Sequence, residues 1–145
     1  MSVMTTVFDV LAADTSLKTL LGSHALAPDY PAIYETWAIE DIPMPYMVIS
    51  WGFDSGEVST KFDSSIIMDI FTAGTSTLMA ETIRNRLIEL LEKNTFFSEG
   101  EGTIRTHYVR DGNVPEPEEE VTHWMIEFRV IYWDASIINA ITKRS

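Results

Sequence analysis

Two histidines come nearest to chemistry in this sequence. His107, in TIRTHYVRDG, and His123, in VTHWMIEFRVIYW, fall on segments that read as neighbouring strands, so their imidazoles can approach one another. Two imidazoles with a nearby Glu would be a set of zinc-type ligands. The plainer reading is a pair of polar side chains on a half-wet sheet face. Neither histidine has a helix partner at i+4, and neither belongs to a clustered carboxylate pattern. No catalytic, cofactor-binding or metal-ligating residue is therefore assigned.

The remaining candidates read the same way. Glu116, Glu118, Glu119 and Glu120 form a single acidic run, and such runs are solvated. A general acid/base pair needs two carboxylates in different, desolvated environments, which a run does not signal. Gly100-Glu101-Gly102 precedes a strand rather than a helix, with no Gly-Lys-Ser/Thr after it, so a flexible turn is the better reading than a phosphate cradle. The sequence has no cysteine, which excludes disulfides, thiolate zinc sites and a cysteine nucleophile. It also lacks G-x-S-x-G, H-E-x-x-H and EF-hand patterns. Nothing here points to an enzyme.

The chain has 145 residues, the length of one domain, and a formal net charge of −12. At that size roughly 68–70% of the unfolded surface is buried on folding, so a core forms without staples. The negative charge disfavours free nucleic acid and anionic membranes as partners and keeps an unassembled building block soluble. Asp9 and the lack of a basic flank argue against a signal peptide, and no uncharged run reaches the ~20 apolar residues of a membrane helix.

The elements that would position any surface follow from periodicity. SVMTTVFDVLAADTSLKTLLG reads as one broken N-terminal helix: Val3, Val7, Phe8 and Leu11 fall at helical spacing, Asp14 or Ser16 caps a second short turn, and Gly22 ends it. Ile33 and Trp37 mark a possible short strand. YMVISWGF is a strand with apolar or small residues on both faces, a central position. Asp54 to Asp63 reads as a hairpin tip, and SSIIMDIFTAG as the returning strand. LMAETIRNRLIELLEKN is a helix, with capping hydroxyls at Thr75, Ser76 and Thr77 and an apolar stripe of Met79, Ile83, Leu87, Leu90 and Leu91. Glu89 and Lys93 form an expected i, i+4 pair. FFSEGEG reads as a loop and Asp111 to Glu120 as an acidic, proline-bearing excursion. The last strand presents Trp124, Ile126, Phe128, Val130 and Tyr132 to the helices, and DASIINAITKRS adds a short helix.

Helix, strands, helix, strands is a segregated α+β order. The expected architecture is one domain over residues 1–145: a mostly antiparallel sheet of about four strands, covered on one face by an N-terminal and a central helix. Trp37, Trp51, Trp124 and Trp133 are core residues by default. Because YMVISWGF and the last strand carry apolar residues on both faces, the second face is expected to need a partner subunit.

The ordered set resembles the phage tail terminator family, also called tail completion or minor tail proteins of the head–tail junction. DTSLKTLLGS resembles D-x-x-L-x-x-L-x-G, and AIYETWAIEDIPMPYMVISW resembles I-Y followed by A-P-x-P-Y-V-x-x. Ile66 to Phe71 resemble I-x-x-D-I-F/W, and Thr77 to Leu87 resemble the helix that follows it, T-x-x-x-A-x-x-I-R-x-x-L. The resemblance implies a non-enzymatic virion protein without cofactors or metal, made in the bacterial host cytoplasm and located at the head–tail junction. It implies a homo-oligomeric ring, typically a hexamer, that caps the head-proximal end of the tail tube and meets the neck or head connector. DNA would pass through without specific binding. A neck or head-closure protein is the alternative reading, and a small metal-dependent enzyme using His107 and His123 the third. Within this pattern Pro43 and Pro45 are expected to hold the connector before YMVISW extended and unable to pair with stray strands.

Overall fold

A computed structural model describes residues 3–35, 43–54, 61–98, 102–116 and 120–133. Two short helices open the chain, α1 (Val3–Ala12) and α2 (Thr15–Leu21). Strands β1 (Ile33–Glu35), β2 (Tyr46–Asp54) and β3 (Lys61–Ala73) follow, then helix α3 (Leu78–Leu91), then β4 (Asn94–Ser98), β5 (Gly102–Val114) and β6 (Val121–Trp133). They form one six-stranded sheet in the order β1-β2-β3-β6-β5-β4. β3 and β6 pair antiparallel along their whole length, from Lys61 opposite Trp133 to Ala73 opposite Val121.

Period-two patterning decides which face is dry. Ile66, Met68 and Ile70 of β3 lie opposite Phe128, Ile126 and Trp124 of β6, and Met47 and Ile49 of β2 continue the row. All of these except Trp124 are fully buried. Against them the helices lay Met4, Val7, Leu11, Leu17 and Leu21, with Ala80, Ile83, Leu87 and Leu91 from α3. The fold is thus α+β with its helices on one sheet face, as the periodicity implies.

Local signals explain the helix ends. The carboxylate of Asp14 accepts the Leu17 N–H at 2.9 Å and caps α2, and the Gly22 N–H closes it on the Lys18 carbonyl at 3.1 Å. At α3 the Ser76 hydroxyl, rather than that of Thr77, accepts the Leu78 N–H at 3.3 Å. Lys93 adopts a left-handed φ of 52°, which ends α3 and turns the chain straight into β4. Gly74, at φ 89°, makes the corner between β3 and α3, where only glycine is unstrained.

Several expectations need correction. The sheet has six strands and is mixed, because β1 runs parallel to β2 with Ile33 opposite Met47. β4 lies within the stretch read as a loop: Phe96 pairs with Ile104 although the glycines nearby signal a turn. β5 continues through Asp111-Gly112 to Val114, accommodated by a bulge between Tyr108 and Arg110, so the acidic excursion starts at Pro115. Met79 is 42% exposed, since the buried stripe of α3 runs through Ala80 instead. Trp51 is 43% exposed, at the edge of an irregularity in the β2–β3 pairing. Glu89 meets Arg86 at 2.8 Å rather than Lys93, which the left-handed turn carries off the helix. The Met44–Pro45 peptide is cis, and the chain bends there instead of extending. Trp37, the tip at 55–60, Gly100, Glu101, Glu118, Glu119 and the segment after Trp133 lie outside the described residues.

Candidate assembly surface

β3, β5 and β6 each have a second row of side chains facing away from the helices. The row at one end of this face is aromatic. Tyr46 stacks on Phe71 with ring centroids 5.0 Å apart, and Phe71 stacks on His123 at 4.3 Å. Tyr34 closes edge-on against Tyr46 at 6.2 Å. Strand register dictates this order, since Tyr46 lies opposite Phe71 and Phe71 opposite His123.

His123 is held on both ring nitrogens. Nε2 lies 2.6 Å from Asp69 Oδ1, and Nδ1 lies 2.7 Å from Glu116 Oε1. A neutral imidazole has one N–H and would set a lone pair against one of these carboxylates; the imidazolium donates to both. Burial pushes the His123 pKa down, but the hydrogen bonds to Asp69 and Glu116 outweigh it, so the pKa is raised. Glu116 lies just past the end of β5, so the protonated ring ties that point of the chain to β3.

Further along the same face the rows are charged. Arg129 makes a bidentate contact with Asp63, and Arg110 donates through Nε to Glu127 at 2.8 Å. The carboxylate of Asp63 raises the pKa of Arg129. Ile67, Met125 and Ile131 between them are half-buried. The expectation of a broad apolar second face is therefore replaced by a face of aromatic and aliphatic residues laced with paired charges.

On the helix side a buried carboxylate fastens α3 to the sheet. Asp111 accepts from Trp124 Nε1 at 2.7 Å and from the Tyr108 hydroxyl, and its other neighbour is the Arg84 guanidinium at 3.4 Å. That guanidinium lies 5.9 Å from the Trp124 ring centroid. The bond to Asp111 raises the Tyr108 pKa. Arg84 Nε and the Thr72 hydroxyl are the buried side-chain groups left without a hydrogen bond among the described residues.

β5 and β6 do pair, but His107 lies opposite Arg129 while His123 lies opposite Val114. From position 129 to 123 along β6 is six residues, about 20 Å at ~3.3 Å per residue. The two-histidine metal set is thus not assembled, and the described residues contain no group of three His, Cys, Asp or Glu side chains placed to hold a metal ion. The partners of His123 escaped the sequence reading for different reasons. Asp69 lies inside the Ile66 to Phe71 strand motif with nothing local to mark a partner, and Glu116 lies in an acidic run that reads as solvated. The signal that could have paired Asp69 with His123 is the β3–β6 register.

Among the described residues these features define a class of fold: a mixed six-stranded sheet with three helices on one face and a polar-laced face on the other. No protein family matches the sequence, and no curated protein matches it. In fold the chain is similar to a chain of a solved structure, the virion of a native gene transfer agent particle. The match has a TM-score of 0.71 at 14% identity and covers 91% of this chain and 95% of that one. The shared fold therefore spans nearly the whole of both chains.

Proposed function

We propose that this chain is a structural virion protein of the tail-terminator kind. In this reading, copies form a closed ring, hexameric as in the family it resembles, on the head-proximal end of a tail tube. The ring ends tube polymerisation and presents its other side to a connector of the head. The observation that carries the reading is the likeness in fold, over nearly the whole of both chains, to a chain of a virion. The ordered resemblance of its helix, strand and connector motifs to tail terminators supports the finer assignment.

The mechanism is surface matching rather than bond chemistry. A tube subunit at the growing end offers a surface that the next tube ring would take. A terminator ring occupies that surface and offers a different one. Closed rings use heterologous contacts, in which one patch meets a different patch on the next copy. A net charge of −12 per chain suits a channel through which DNA moves without adhering.

Electron microscopy of the purified protein mixed with isolated tail tubes tests this. Rings seated on one end of each tube are expected. Rings that bind isolated head connectors and leave tubes bare would replace the terminator reading with the neck-protein reading.

A further inference from the structure

Two surfaces outside the core are opposite in charge. On the face of β5 and β6 turned away from α1, α2 and α3, Arg105, His107, Arg110 and Arg129 occupy adjacent cross-strand rows: Arg105 lies opposite Ile131, His107 opposite Arg129, and Arg110 opposite Glu127. Asp63 neutralises Arg129 and Glu127 neutralises Arg110. Arg105 is exposed, and among the described residues no carboxylate pairs with it.

The other surface lies at the opposite end of the strand order. An open cleft of about 350 Å³ is bounded by α1, the loop after α2, and β1. Asp9 and Glu35 line it together with Phe8 and Tyr30, whose ring centroids are 6.4 Å apart. His24 also lines it, with its Nδ1 occupied by the Leu26 N–H at 3.0 Å. Asp9 and Glu35 are both exposed, and no cation pairs with either among the described residues. Leu26 and Tyr30 of the same loop are 74% and 49% exposed.

A cleft with two carboxylates and two aromatic rings suits a long side chain with an apolar stem and a flat cationic head. Arginine is that side chain: its stem covers apolar surface, its guanidinium lies on aromatic faces, and it binds carboxylates through a fork of N–H groups. Copies of a chain carrying −12 repel one another in general, so they can meet closely only where cations of one face carboxylates of the next. We propose that neighbouring subunits meet through these two surfaces, the Arg105 side chain of one copy entering the Phe8–Tyr30 cleft of the next with its guanidinium on Asp9 and Glu35. This contact rests on the ring reading above. It is heterologous, so each added copy leaves one surface of each kind free until the ring closes.

Sedimentation of the full chain over a range of concentrations, alone and with tail tubes, tests the contact. Arg105→Glu is expected to weaken self-association at least tenfold, and Asp9→Arg to do the same. Both residues are exposed, so circular dichroism and melting temperature should match the parent. Combining Arg105→Glu with Asp9→Arg re-creates a pair of opposite charges and should restore most of the association. Single variants that associate like the parent would overturn the contact and leave the ring reading standing. A parent that stays monomeric in solution and on tubes would overturn both. Duplex DNA binding that Arg105→Glu abolishes, with self-association intact, would assign the basic rows to nucleic acid and overturn the contact as well.

Discussion

Arg86 reaches back 72 residues to Asp14, with Nε 3.0 Å from Oδ2 and a terminal nitrogen 2.5 Å from Oδ1. The same Oδ2 caps α2 by accepting the Leu17 N–H. One carboxylate therefore starts a helix and fastens it to α3. The hydrogen bond from Arg86 holds the Asp14 carboxyl below its ordinary range, against the opposing effect of burial.

Asp14→Ala should lower unfolding free energy by about 1–2 kcal/mol, the usual cost of losing an N-cap side chain, in urea melts. Asp14→Asn keeps an acceptor for Leu17 and should cost less. Because the folded pKa is depressed, the charge contribution is present above the ordinary aspartate value and is lost as pH falls through the lower folded value. The difference between parent and Asp14→Asn should therefore shrink at acid pH.

Phe128 is fully buried and meets Tyr108 edge-on at 6.2 Å, whereas Met79 is 42% exposed. Phe128→Ala should cost about 3–5 kcal/mol in the same melts. Met79→Ala, on the outer side of α3, should fall within about 0.5 kcal/mol of the parent. A loss below roughly 1 kcal/mol for Phe128→Ala would contradict the face assignment.

His123 supplies a stability term of opposite pH sense. Its folded pKa lies above the ordinary histidine value, so its contribution is complete below that value and is lost as pH rises through the folded one. Urea midpoints of the parent should fall as pH rises above the ordinary histidine value, and those of His123→Gln should change less over the same rise. Equal pH slopes for the two proteins would mean that Asp69 and Glu116 do not hold the imidazolium.

The helices, the four long strands and the core face were legible in the sequence because each rests on local periodicity. Asp14 and Gly22 are likewise readable, since a cap is a contact between near neighbours. What was not legible is long-range. β4 hides among loop signals because its ladder to β5 overrides them. The parallel pairing of β1 with β2 is a contact between separate segments, which no local pattern encodes. The His123 clamp needs the β3–β6 register to bring Asp69 alongside, and the Asp111 cluster needs the bulge after Tyr108 to aim its carboxylate at α3. His107 and His123 show the converse: neighbouring strands are not enough, because register separates side chains that sequence alone leaves free to meet.

Deleting the gene and imaging the resulting particles tests the central claim most directly. Loss of a terminator should leave tails of uncontrolled length that fail to join heads, and supplying the protein in trans should restore both length and joining. Tails of normal length already attached to full heads in the deletion would contradict the account.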